Sequence, residues 1–320
     1  MQILLANPRG FCAGVDRAIH VVEQALQCYG APVYVRHEIV HNHYVVADLV
    51  SRGVIFIDDL KQVPDHSVVI FSAHGVSRAV QEQAHRRGLS VIDATCPLVT
   101  KVHHQVNKYC RAGYEIIVIG HPGHVEVVGT IGQVIDEDRW RVHVVDSISD
   151  VTSLHVSNPR KLAYVTQTTL SVDDTRDIIN ALKRRFPNII APSKEDICYA
   201  TQNRQQAVKQ LVQQCDVILV IGSKTSSNSN SLKQLAEQRG RAAYLIDGPE
   251  DIRPYWFSAD QTVGITAGAS APEILVQGVI DWFKNRGPVN IRELQSDPEN
   301  ISFRLPKFPL PPSPLVTVNE

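Results

Sequence analysis

The sequence holds six cysteines among its 320 residues, yet no two of them form a C-x-x-C pair. That absence argues against a zinc ribbon and against a thioredoxin-type redox motif. G-x-x-x-x-G-K-[ST] and G-x-G-x-x-G are also missing, so neither a P-loop nor a dinucleotide fingerprint is present. G-F-C-A-G has too few glycines, in the wrong frame. No window approaches the roughly 18 apolar residues of a membrane span. The apolar stretch in M-Q-I-L-L-A-N-P-R-G is too short for a signal peptide. Net charge is −1, which removes the electrostatic term that nucleic acid or an anionic membrane would need. These absences predict a cytoplasmic protein with neither a nucleic-acid nor a membrane partner. Cysteines in such a compartment are reduced, metal-bound or catalytic rather than disulfide-bonded.

What is present is a pattern written three times. Cys12, Cys96 and Cys198 each precede a helix-like segment, and Cys28, Cys110 and Cys215 each follow one. A strand-like run comes next: P-V-Y-V, E-I-I-V-I, then D-V-I-L-V-I. A polar motif follows each: H-E-I-V-H-N, G-H-P-G-H-V-E, then G-S-K-T-S-S-N-S-N. A second series of strands also repeats, in H-S-V-V-I-F-S-A-H-G, K-L-A-Y-V-T-Q-T-T and Q-T-V-G-I-T-A-G-A-S. Each of these leads into another helical segment. Continuous apolar runs such as Val217-Ile218-Leu219-Val220-Ile221 read as strands buried on both faces, and alternating strands and helices argue for parallel α/β structure.

The chain is longer than one core usually serves. The expected architecture is three similar α/β units with mostly parallel sheets. Their expected bounds are 12–96, 97–197 and 198–283. An N-terminal strand within 1–11 is expected to complete the sheet of the third unit. A C-terminal extension, 284–320, carries five of the 18 prolines within P-K-F-P-L-P-P-S-P, so Leu305–Leu315 is expected to be an extended arm or partly disordered.

In parallel α/β units, binding loops follow the carboxyl ends of strands and lead into helix N-termini. Cys12, Cys96 and Cys198 belong there, where the helix dipole would lower a thiol pKa and favour the thiolate. Their partners lie about 20 Å away, at the other end of a helix of some 14 residues. That second set reads as small buried apolar residues past the helix ends. His41, Asn42, His74, His121, His124 and Glu126 also follow strand ends, as do Thr168, Thr169, Ser226, Ser227, Asn228 and Ser270. A ring of such neutral donors suits a phosphorylated anion. Three thiolates could serve an iron–sulfur cluster with one iron left open, or a zinc ion with an activated water. A non-catalytic redox or ligand-binding module is a further reading, although it would need no general acid such as Glu126.

R-G-F-C-A-G-V-D-R-A, S-A-H-G-V-S, D-A-T-C-P-L-V, T-Q-T-T-L-S, I-C-Y-A-T-Q-N-R-Q, S-S-N-S-N and A-G-A-S-A-P, with G-H-P-G-H-V-E, are similar to the motifs of the 4-hydroxy-3-methylbut-2-enyl diphosphate reductase family. They span residues 8–272 without a departure. The resemblance implies a pseudo-threefold trefoil around a central cleft. It implies a [4Fe–4S] cluster on Cys12, Cys96 and Cys198 with one iron open to substrate. It implies an allylic diphosphate held by His41, His74, His124, Ser226, Ser227, Asn228 and Ser270. Glu126 would deliver protons, with Thr168 as its hydroxyl partner beside the substrate alcohol. The implied reaction is reductive dehydroxylation to isopentenyl and dimethylallyl diphosphates, the last step of the methylerythritol phosphate route to isoprenoids. With no flavin or nicotinamide motif in the chain, electrons would come from an external donor of flavodoxin or ferredoxin type. The alternative is a zinc-dependent hydrolase of a phosphorylated small molecule.

Overall fold

The computed structural model describes residues 1–309, apart from the side chain of Asp136. The proline-rich arm expected over Leu305–Leu315 lies outside the described residues from position 310 onward. No helix among the described residues is long and apolar enough to cross a membrane.

The chain opens with β1 (Gln2–Leu5) and α1 (Ala13–Tyr29). Then come β2 (Val33–Arg36), α2 (His43–Ser51), β3 (Val54–Ile57), β4 (Val68–Phe71), α3 (Arg78–Arg86) and β5 (Ser90–Asp93). The middle third contributes α4 (Pro97–Arg111), β6 (Glu115–Ile119), α5 (Val125–Ile131), β7 (Val142–Val145), α6 (Ile148–Ser153), β8 (Leu162–Thr166) and α7 (Val172–Arg185). The last third contributes α8 (Tyr199–Gln214), β9 (Val217–Ile221), α9 (Ser227–Gln238), β10 (Ala242–Ile246), β11 (Thr262–Ala267), α10 (Glu273–Lys284) and β12 (Asn290–Glu293).

Three sheets result, in the strand orders β3-β2-β4-β5, β7-β6-β8 and β10-β9-β11-β1-β12. Every strand pairing is parallel. The registers correspond: Arg36 pairs with Phe71, Ile119 with Thr166, and Ile221 with Ala267. Each pair stands at the carboxyl end of two neighbouring strands. The polar loops therefore leave each sheet side by side on one edge.

The apolar runs alternate between two cores. In β6, Ile117 and Ile119 enter one cluster while Ile116 and Val118 enter another. In β9, Leu219 and Ile221 face one way and Ile218 and Val220 the other. β4 repeats this with Val69 and Phe71 against Ile70. Each sheet is covered on both faces, as parallel strands require. Burying each such side chain contributes roughly 1.5–3 kcal/mol.

Beside β4 lies β5, and beside β8 lies a single bridge between Ala163 and Ile190. Beside β11 lies β1, from the other end of the chain. The segments after β5, after Ile190 and after β1 lead to Cys96, Cys198 and Cys12. Three topologically equivalent positions thus deliver the three cysteines.

The trailing cysteines differ from expectation. Cys28 and Cys110 lie inside the last turns of α1 and α4 rather than past them, and Cys215 is the C-cap of α8. α1 runs on because nothing stops it before Gly30, whose φ of 72° suits a residue without Cβ. Cys215 is buried, but Cys28 is exposed and Cys110 half-buried.

Candidate active site

Cys12, Cys96 and Cys198 are the N-caps of α1, α4 and α8, and all three line one central cavity. The cavity and its open mouth together hold about 700 Å3 of atom-free space. Gly14 stands between two of the thiols. A Cβ built there would lie 2.7 Å from Cys96 Sγ and 3.8 Å from Cys12 Sγ. Cys198 Sγ accepts from the backbone N–H of Thr201 at 3.4 Å and lies 3.2 Å from its hydroxyl.

The expected lowering of the thiol pKa is reversed. Burial pushes Cys96 up to about 12 and Cys198 up to about 11, and raises Cys12 despite the opposing charge of Arg204. Desolvation outweighs the helix termini, so without a cation these groups are thiols. No group of three His, Cys, Asp or Glu side chains closes to ligating geometry among the described residues. The donor set nonetheless fits an iron–sulfur group. Three soft sulfur donors share one buried cavity, with glycine where a methyl group would intrude, and a cationic centre would favour their deprotonation.

A histidine cluster lines the same cavity. The rings of His41 and His74 stack with centroids 4.2 Å apart, and His124 stands edge-on at 5.5 and 6.2 Å. Glu38 holds His41 Nδ1 at 2.9 Å, and Ser72 Oγ lies 3.3 Å from His74 Nδ1. Burial lowers His124 to about 4 and drives His74 well below the ordinary range, with neighbouring imidazoles adding to both. Both rings are therefore neutral. His124 Nδ1 accepts the backbone N–H of Glu126 at 3.1 Å, which assigns its proton to Nε2. That Nε2 is buried without a partner.

The third unit mirrors this arrangement. Asn228 Oδ1 accepts from Ala269 N at 2.9 Å, and its buried Nδ2 has no partner. Ser226 caps α9, Ser270 Oγ donates to the His41 carbonyl at 2.9 Å, and Ser227 lies beside them on the cavity wall. A buried donor with no acceptor costs about 1–3 kcal/mol. Two of them on one cavity suit an anion that supplies the acceptors.

Glu126 is 3% exposed and lines the same cavity from α5. Thr168 N donates to its Oε1 at 2.6 Å, and Thr168 Oγ1 donates to Oε2 at 3.0 Å. Burial raises the carboxyl to about 7 against these bonds, with Asp196 adding to the rise. A substantial protonated fraction therefore persists at neutral pH.

Two of the loop residues fall elsewhere. His121 Nδ1 pairs with Asp146 at 3.0 Å on the surface, and Asn42 is spent capping α2. Thr169 does line the cavity. One contributor escaped the sequence reading. Arg204 is fully buried and donates from Nε and Nη2 to the Gly10 carbonyl at 3.0 and 2.7 Å, and from Nη2 to that of Phe11 at 3.0 Å. Glu299 is its counter-ion at 3.2 Å. Arg204 thereby ties the loop of Cys12 to the helix of Cys198. The signal was a lone arginine on a helix entering the cysteine loop, in C-Y-A-T-Q-N-R.

A family model described as LytB protein matches residues 3–284. A 4-hydroxy-3-methylbut-2-enyl diphosphate reductase from Pseudomonas putida (strain W619) is 61% identical, over 96% of this chain and 98% of its own length. Its namesake from Acinetobacter baumannii (strain AYE) is 58% identical over 96% and 97%. The solved E-1-hydroxy-2-methyl-but-2-enyl-4-diphosphate reductase of Plasmodium falciparum superposes with a TM-score of 0.87 at 39% identity, covering 97% of this chain and 95% of that one. Another solved reductase, described as the terminal enzyme of the non-mevalonate pathway, gives 0.63 at 31% identity, covering 89% and 99%. With these likenesses, the three parallel sheets form the expected trefoil.

Proposed function

The chain belongs to the LytB protein family, and we propose that its cavity reductively removes the hydroxyl of 4-hydroxy-3-methylbut-2-enyl diphosphate, giving isopentenyl and dimethylallyl diphosphates. One observation carries the reading. A fully buried carboxyl, raised to about 7, shares one cavity with three N-capping cysteines and two unpartnered donors.

The diphosphate is held by His41, His74 and His124 on one side and by Ser226, Ser227, Asn228 and Ser270 on the other. Binding there supplies the acceptors that His124 Nε2 and Asn228 Nδ2 lack. It also fixes the alcohol end of the substrate toward the cysteines, remote from the charge that anchors it. Cys12, Cys96 and Cys198 would hold a [4Fe–4S] cluster through three ligands, leaving one iron without a protein ligand. When bound, that cluster supplies single electrons and a Lewis-acidic iron.

Loss of the hydroxyl as water consumes two electrons and two protons. Glu126 protonates the departing oxygen as general acid, and Thr168 Oγ1, 3.0 Å from its carboxylate, orients the acid and relays to the alcohol. The apolar lining from Val15, Val40, Leu98 and Val99 limits water around this step. An external flavodoxin or ferredoxin supplies the electrons, in the cytoplasm, where the thiols stay reduced. The zinc-hydrolase alternative is set aside, because the curated relatives described above are reductases.

Anaerobic reconstitution of the wild-type chain should give iron and sulfide together, with diphosphate-dependent turnover under a chemical reductant. Glu126→Gln should keep its iron and lose about 100-fold or more in turnover, the usual scale for a general acid. Wild-type turnover in that variant would remove Glu126 from the proton path. Zinc without sulfide would end the cluster assignment.

A further inference from the structure

Two open grooves flank helices that begin at cysteines. One runs beside α8 and is lined by Asn7, Asn203 and Gln206, with Glu293 and Asp297 and no lysine or arginine. The other runs along α4 and carries Arg17, Lys101, Lys108 and Lys194 against one lining carboxylate, Asp93. In a chain of net charge −1, such local separation of sign is a property of the surface and not of the composition.

Lys101 is already committed, since it pairs with the buried Asp196 at 3.1 Å. Lys108 and Lys194 are exposed and have no carboxylate within salt-bridge distance among the described residues. Arg17 donates only to carbonyls, those of Thr95 at 3.0 Å, Asp93 at 3.3 Å and Arg304 at 2.8 Å. Glu195, beside Lys194, is engaged by Gln202 at 3.1 Å. The far rim adds Pro306, flanked by the exposed Arg304 and Lys307.

The groove also reaches the central cavity through one helical turn. Pro97 and Thr100 of α4 face the groove, whereas Leu98 and Val99 face the cavity. Thr100 Oγ1 donates to the Cys96 carbonyl at 3.3 Å. Arg17 grips the carbonyl of Thr95, the residue before Cys96. A partner seated in the groove is thus separated from Cys96 by the first turn of α4.

We propose that the groove along α4 is the docking surface for an acidic, one-electron carrier protein, which gives up its electrons by way of the Cys96 side of the cavity. The inference rests on the reductase reading, which requires an external donor. Per turnover, two reduced carriers each lose one electron, and the allylic alcohol gains both with two protons as water leaves. Uncommitted cations steer an acidic partner and make its capture sensitive to salt. A small, wet, electrostatic contact is typical of redox encounters. In the groove beside α8, Glu293 is already paired with Arg9 at 2.6 Å, and what remains is Asp297 with no lining cation to attract the same partner.

The test uses the iron–sulfur-loaded, full-length chain with two reductants: reduced methyl viologen, a small cation, and a reduced acidic ferredoxin. Lys108→Glu combined with Lys194→Glu should lower kcat/KM for the ferredoxin about tenfold and flatten its dependence on salt. Viologen-driven turnover should stay at the wild-type rate. Arg253→Glu combined with Arg286→Glu, exposed before β11 and just after α10, should leave both rates unchanged. Equal ferredoxin kinetics in the groove variant and the wild type overturn the docking site. So does an equal loss in the control pair. If the wild-type chain turns over with neither reductant, the reductase reading falls and the docking site with it.

Discussion

Ser77 and Ser171 each turn a hydroxyl back onto the helix they open, accepting from a backbone N–H at 3.3 and 3.2 Å. Cys12 and Cys96 open α1 and α4 from the same kind of loop, on the same edge of their sheets, with no such bond. Cys198 has only a long sulfur contact, 3.4 Å from Thr201 N. A serine at such a position gains about 1 kcal/mol over alanine. The cysteine helices forgo most of that and also bury sulfur in a cavity where ionisation is disfavoured. Helices that only build the scaffold are finished locally. The helices that bring a cysteine to the centre are left unfinished there, whereas α5 and α9, capped by His124 and Ser226, reach the same cavity complete.

The sharpest way to break this contrast is Cys12→Ser. Serine restores a good cap, so the apo-protein should be at least as stable as wild type, while bound iron falls to background. Full iron content would show that Cys12 is an ordinary buried thiol. Gly14→Ala is the next step down. Alanine favours the helix by about 1 kcal/mol, but its Cβ would press on Cys96 Sγ. Iron retention after gel filtration should drop several-fold with apo stability intact, and unchanged retention would mean the sulfur has room to move.

Glu126→Gln extends the comparison to the acid. The folded-state pKa of Glu126, about 7, lies above its ordinary 4.5. Its favourable contribution is therefore fully present below about pH 4.5 and is lost as pH rises to about 7. Denaturant melts of the apo-protein should show the glutamine variant gaining on wild type by about 3 kcal/mol across that interval. Parallel curves would mean Glu126 stays ionised. The smallest effect should come from Ser171→Ala, which ought to cost about 1 kcal/mol and leave iron and turnover untouched.

The parts of this molecule most legible in its sequence are those under the strictest physical demand. β4, β6, β8 and β9 are buried at every position, so they read as unbroken apolar runs. The edge strands β3, β7 and β10 are only partly buried, and their mixed composition hid them along with the helices α2, α5 and α9 that precede them. The cavity's side chains were legible because each follows a strand end. His121 followed one too, but a single step around the turn points it at Asp146 instead. The direction of the cysteine shifts was not legible, because it depends on desolvation created by all three units together. Arg204 was hidden for the same reason: its acceptors lie in the loop before α1, at the far end of the chain.

The place of β1 sets an order of events during synthesis. Gln2–Leu5 leaves the ribosome before every other element described above, yet its neighbours on either side are Thr262–Ala267 and Asn290–Glu293. The first two sheets can form while translation continues. The third cannot take in β1 until Thr262–Ala267 has emerged and cannot cover its other side until Glu293 has, and the loop bearing Cys12 hangs from β1. The three thiols can converge only after β11 has been made, so the proposed metal centre cannot assemble on the first two sheets alone.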